Sequence, residues 1–233
     1  MIHMIEYDIK LFLRSIKGIL PLIATLIFIM FTYYPGVITR KDTAIITSYF
    51  YIFYIMLYIG YMLSNNELDI PEQCLYIRCI NKVSYYLYKV VCVLIFSIIF
   101  STLLILATFM FGSGDYNAGM IIYGWMLMVG SGFCGGALGQ LFHPAFIRDR
   151  KLAMILMLIT GVLCACRTDV INAFPVLKYI YYVLPPIDNS IISSALKTLC
   201  GSIIIKEVII LVVYGIIYEI IKSYIWHVKK YID

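Results

Sequence analysis

From Ser64 to Lys89 the chain reads SNNELDIPEQCLYIRCINKVSYYLYK, its longest hydrophilic interval, and on both sides it runs into long apolar stretches. The interval carries Glu67, Asp69 and Glu72, then Arg78, Lys82 and Lys89. Leu75, Ile77 and Ile80 can turn toward a bilayer or neighbouring helices while the charges face water, which is how an interfacial helix distributes its residues. Taken alone, the same residues also describe a solvated connector between two spans. The flanking sequence therefore sets the class.

That sequence is 63% apolar and 13% charged over 233 residues, with a mean hydropathy of +0.94. These values lie far outside soluble averages and point to an all-α integral membrane protein with several spans. The net charge of +5 comes without any continuous basic run, so it fits basic cytoplasmic loops better than a nucleic-acid surface. Cys74, Cys79, Cys92, Cys134, Cys164, Cys166 and Cys200 form no CxxC pair. Neither a disulfide framework nor a metal site is indicated, and they read as small packing residues.

Residues 1–17 place Ile2, Ile5, Ile9, Phe12, Leu13 and Ile16 on one helical face and Lys10, Arg14 and Lys17 on the other. This predicts an amphipathic helix lying in the inner interface. The apolar run 18–34 is too long for a signal-peptide core and ends in Thr-Tyr-Tyr-Pro without a cleavage site, so it reads as a retained first span. Pro21 sits near its inner end, where a first helical turn tolerates the missing donor.

The second span, 44–63, has about the length a bilayer needs. In it Thr47, Tyr51, Tyr54, Tyr58 and Tyr61 recur every three or four residues and form one stripe. A phenol hydroxyl in hydrocarbon needs a partner, so the stripe should face either other helices or a hydrated translocation pathway. The third span is 90–111 and the fourth 120–142. The fourth holds Gly132, Gly135, Gly136 and Gly139 in overlapping small-xxx-small patterns, which predict close approach of another helix backbone. Its GGALGQ run resembles a nucleotide signature only superficially, because it lies within an apolar helix.

A basic loop with Arg148, Arg150 and Lys151 leads into a short fifth span, 152–166. Residues 170–199 hold two apolar pieces, each too short to cross, separated by Pro185 and Pro186, and they predict an extracellular re-entrant hairpin. The sixth span is 202–221, with Glu219 one turn before Lys222. Both termini inside gives twelve Lys and Arg on the inner side against five on the outer, the expected positive-inside bias. The expected location is the cell membrane, multi-pass, with cytoplasmic termini.

This arrangement resembles the permease subunit of type 2 ABC exporters over essentially the whole chain. The most specific part is the 64–89 loop, in which Glu67, the Cys74–Ile80 stretch, Lys82 and Lys89 match an acidic residue, an amphipathic segment, a basic residue and a Lys opening the third span. Where many members have Gly-Thr after the acidic residue, this chain has Ile70 and Pro71. The resemblance implies a coupling loop that docks on a separate ABC ATPase subunit through Glu67, Asp69, Glu72, Leu75, Arg78 and Lys82. It also implies ATP and Mg bound by that partner and not by this chain, which has no GxxxxGK[ST] stretch, and a second permease copy, identical or homologous. Small permeases of this length resemble those serving peptide toxins, bacteriocins and lantibiotic immunity, so the expected cargo is an amphipathic peptide or another hydrophobic substrate.

Two other classes make different demands. A secondary transporter or channel needs ionisable residues at mid-depth, whereas Lys206, Glu207 and Glu219 lie toward span ends. An intramembrane enzyme needs a convergent nucleophile and base or metal ligands. His3, His143 and His227 map to the inner side away from Cys164 and Cys166, and no catalytic residue is assigned.

Overall fold

The computed structural model describes residues 6, 9–10, 12, 14, 16–34, 41–65, 82–112, 118–143, 146–147, 149–174, 176, 178–187 and 201–229. They form α1 (Ile16–Thr32), α2 (Lys41–Asn65), α3 (Lys82–Phe111), α4 (Ala118–Gln140), α5 (Arg150–Ala165), the short α6 (Arg167–Ala173) and α7 (Lys178–Tyr181), and α8 (Gly201–Lys229). No strand occurs among the described residues.

The centre of the bundle is α4. Every residue from Gly130 to Gln140 is buried, and α2, α3 and α8 all pack on it. Its composition explains this position, because a helix built from Gly, Ser, Cys and Ala has a narrow cross-section on every side. A side chain at Gly135 would meet the carbonyl oxygen of Phe53, one at Gly139 the carbonyl of Leu57, and one at Gly60 of α2 the carbonyl of Gly136. Two hydroxyls reinforce these contacts across helices. Ser131 donates to the Tyr49 carbonyl at 3.0 Å and Ser97 of α3 donates to the Val129 carbonyl at 2.8 Å.

Contacts at the two ends fix an alternating up-and-down order. At one end Tyr33, just past α1, donates to Thr108 near the end of α3, and Gly112 lies against Lys41 at the start of α2. At the other end Ser64 of α2 meets the last residue of α4, and Tyr61 reaches the first residue of α5. Around this core the outward faces are apolar. Leu26 and Met30 of α1, Ile155 and Ile159 of α5, and Ile209 and Ile220 of α8 are all exposed. A surface of this kind belongs in hydrocarbon, where helices satisfy their own backbones. Among the described residues three helices, Lys41–Ser64, Leu87–Phe111 and Ala118–Gln140, are long and apolar enough to cross a bilayer.

Several details differ from the sequence reading. The helix of α3 begins at Lys82, so the stretch to Lys89 assigned to the loop is helical. Its Tyr and Lys residues lower the hydropathy without disturbing helical propensity. Pro21 lies in the second turn of α1, since that helix starts at Ile16. Its carbonyl accepts the Thr25 hydroxyl at 2.7 Å. Ahead of α1, Lys10 pairs with Glu6 at 2.6 Å on the exposed side, while Phe12 is buried against Phe96 with ring centroids 4.9 Å apart. The Phe12 carbonyl lies over Gly18 so closely that any side chain there would collide with it. Only a glycine fits.

Candidate functional site

The sequence places coupling chemistry in the 64–89 loop. Glu67, Asp69, Glu72, Leu75 and Arg78 lie outside the described residues, and Lys82 is the first residue of α3. What the structure does describe is where the two ends of that loop are held.

The end of α2 and the second turn of α3, which flank the loop, enter a buried polar cluster at one end of the bundle. The C-terminal turns of α2 and α4 meet there, each with backbone carbonyls that have no partner within the helix and carry partial negative charge. Lys89 of α3 donates to the Leu63 carbonyl at 3.4 Å, and the Ser64 hydroxyl reaches the Gln140 carbonyl at 3.5 Å. From α8, the Lys222 ammonium donates to Gln140 Oε1 and lies 3.4 Å from Glu219 Oε2. Relative exposure is 3% for Lys89, 8% for Lys222, 7% for Glu219 and 0% for Gln140. Charges this deep are tolerated only when paired or placed on aligned dipoles. Gln140 Nε2 and Glu219 Oε1 are buried with no hydrogen-bond partner among the described residues. His143, three residues past Gln140, is buried beside them in sequence and packs edge-on to Phe146.

Sequence reasoning named Lys89 as the Lys opening the third span and Glu219 and Lys222 as a pair toward the end of the last span, without bringing them together. It missed Gln140. The available signal was a lone amide closing a glycine-rich apolar helix, where no neighbour in sequence could satisfy it.

The tyrosine stripe of α2 is occupied with other helices. Tyr51 donates to Thr25 of α1 at 3.1 Å and stacks on Phe28 with centroids 4.0 Å apart. Tyr54 donates to the Gly161 carbonyl of α5 at 3.1 Å, and Tyr61 to the Arg150 carbonyl at 3.0 Å. Thr47 bonds back to its own helix at Thr43 and Ala44. Tyr58 is half-buried, and its hydroxyl makes no hydrogen bond among the described residues. Of the packing glycines, Gly132 faces Ser97 and Met56, while Gly135, Gly136 and Gly139 lie against α2, with Val93 of α3 also touching Gly136.

Beyond α5, Tyr214 and Tyr218 of α8 donate to the Tyr182 and Val183 carbonyls at 2.8 and 2.7 Å. Tyr214 lies thirteen residues into α8, about 20 Å along its axis. Non-helical backbone between α7 and Ile187 therefore runs beside α8 from about its middle toward the Glu219–Lys222 end, and the Tyr182 and Val183 carbonyls are satisfied by phenols. Residues 188–200, the rest of the expected hairpin, lie outside the described residues.

Cys92, Cys134, Cys164 and Cys166 form no disulfide among the described residues. No group of three or more His, Cys, Asp and Glu side chains among the described residues is arranged to hold a metal. The chain matches no protein-family model, no curated protein and no solved structure.

Proposed function

We propose that this chain is the membrane-spanning subunit of an ATP-driven exporter. It would work as a dimer and be moved by a separate ATPase subunit docked on the loop between α2 and α3. In this reading α1, α2, α3, α4, α5 and α8 are six spans with both termini inside, and residues 170–199 form a re-entrant hairpin. The observation that carries it is the anchoring of the loop. Ser64, at the end of α2, and Lys89, two turns into α3, are bonded into the cluster that also joins the end of α4 to Lys222 of α8. A force applied to the loop is thus passed to four helices at once.

The backbone at Tyr182 and Val183, held alongside α8 by phenols, supports the hairpin, since irregular chain at membrane depth is tolerated where protein satisfies it. The cargo we assign is an amphipathic peptide or another hydrophobic substrate. Within the tyrosine stripe, the pathway role narrows to Tyr58, because Tyr51, Tyr54 and Tyr61 already bond to α1 and α5.

The test is purification of the tagged chain from its own cells in mild detergent. An ATPase subunit with a phosphate-binding loop is expected to co-purify, and to be lost when Glu67, Asp69 and Glu72 are all changed to Lys. Retention after that reversal, and after deletion of residues 69–78, overturns the docking assignment.

The buried Glu219–Lys222 pair favours one other reading, an ion-coupled transporter, because ionisable groups inside membrane helices often mark ion pathways. The two separate cleanly. Transport that persists without nucleotide and is abolished by Glu219→Gln supports the second.

A further inference from the structure

Residues 174, 176 and 178–187 carry the chain from the end of α6 past α7 to the flank of α8, and they present two faces. Tyr181, Pro185 and Ile187 are buried against the bundle. Phe174, Val176, Tyr179, Tyr182 and Val183 form the other face and are 57–82% exposed. In side chains this patch matches the apolar outer faces of α1 and α5. Its backbone differs. The four residues of α7 make only one turn, so their N–H and C=O groups are all helix-end groups without a partner in a longer helix. Among the described residues, only the Tyr182 and Val183 carbonyls of this segment bond to another helix.

We propose that this face is covered by the same face of a second copy of the chain, the two segments meeting about a twofold axis. Lipid tails suit α1 and α5, whose helices satisfy their own backbones, but they offer nothing to open backbone at membrane depth. Water would serve the backbone and leave five apolar side chains uncovered. A second copy serves both. Tyr179 and Tyr182 bring phenol donors to the face and the non-helical turns bring carbonyl acceptors, so each copy can donate to the other, as an isologous contact requires. A phenol on a carbonyl is also the bond that fastens this segment to α8. The area agrees with that occupant. Three aromatic side chains exposed to this degree offer about 400 Å², and with the two valines each copy would bury about 500 Å². The pair then reaches about 1,000 Å², the size from which a specific interface is expected.

This interface rests on the dimer of the proposed function and not on its ATPase partner. The photoreactive residue p-benzoylphenylalanine in place of Val176 or Tyr179, in the full-length protein irradiated in its own membranes, is expected to join two copies. The same residue in place of Leu26 or Ile159, on the exposed faces of α1 and α5, should not. Tyr179→Phe combined with Tyr182→Phe removes the donors and leaves the bonds from Tyr214 and Tyr218 in place. Energy transfer between labelled copies diluted in liposomes should then show association weakened about tenfold or more.

Should the substituted chains fail to fold, photo-oxidation of the unaltered protein decides the matter by linking neighbouring tyrosines. A mixture of isotope-labelled and unlabelled copies distinguishes links between copies from links within one. A link between copies at Tyr179 or Tyr182 is expected. Copies that associate but are joined only through other faces overturn this interface and leave the dimer standing. Capture of lipid alone, or of a different polypeptide, at positions 176 and 179 overturns it as well. A chain that stays monomeric at every dilution removes the interface and the dimer together.

Discussion

Gln140, the last residue of α4, accepts the Lys222 ammonium of α8 on its side-chain oxygen, and both residues are buried. The contact joins positions 82 apart in sequence at the end of the bundle where α2 and α3 are also tied. Its partner Glu219 is on the same helix one turn earlier.

Removing the ammonium takes a buried partner from both Gln140 and Glu219. Lys222→Met is expected to cost about 3–5 kcal/mol, the usual penalty for breaking a buried pair on one side. Thermal unfolding in detergent would register it as a large drop in midpoint. The double variant Lys222→Met with Glu219→Gln should recover part of the loss, because the uncompensated carboxylate is gone. Equal midpoints for single and double variants would mean that Glu219 and Lys222 are not coupled.

The glycines of α4 divide by what lies opposite them. At Gly139 a methyl group would collide with the Leu57 carbonyl, while at Gly130 it would meet Val208 and Leu211 at ordinary contact distances of 3.5–3.8 Å. Gly139→Ala should therefore destabilise by about 1–3 kcal/mol through forced separation of α2 and α4. Gly130→Ala should be near neutral. Comparable melting of the two variants would show that α2 and α4 do not approach as described.

The apolar runs located α1, α2, α3, α4, α5 and α8 within a turn at most of their ends, because hydropathy over some twenty residues is a strong signal. It failed at the start of α3 and the end of α8, where helices run on past their apolar segments to Lys82 and Lys229. Small-residue spacing pointed to close packing on α4, yet only the fold shows three helices gathered around it. Lys89 and Gln140 were the least legible. Whether a Lys faces water or the end of another helix depends on a neighbour 26 residues away, as Leu63 is here, and no local pattern carries that. The Glu67–Arg78 stretch lies outside the described residues, so its role rests on the resemblance alone.

Loss of a phenol hydroxyl tests each interhelical bond of the stripe separately. Tyr51→Phe, Tyr54→Phe and Tyr61→Phe keep the ring and remove one hydrogen bond apiece, worth about 0.6 kcal/mol and at most about 1.7 in membrane helices. Each should lower the unfolding midpoint slightly, whereas Tyr58→Phe should not. If Tyr58→Phe alone impairs transport while stability is unchanged, that supports its pathway role. Impaired transport that tracks lost stability across all four points to packing.

Tyr218 and Tyr214 hold the backbone at Val183 and Tyr182 against the middle of α8. The paired change Tyr214→Phe with Tyr218→Phe leaves two carbonyls without donors in a region where backbone groups cost several kcal/mol if unsatisfied. That segment should then detach while the α2–α4 core, which shares none of these bonds, remains. Amide hydrogen exchange offers the readout. Protection is expected to fall over residues 179–187 and to persist over Gly130–Gln140. Unchanged exchange at 179–187 would mean that the phenols do not hold it, and the placement alongside α8 that supports a re-entrant hairpin would lose its basis.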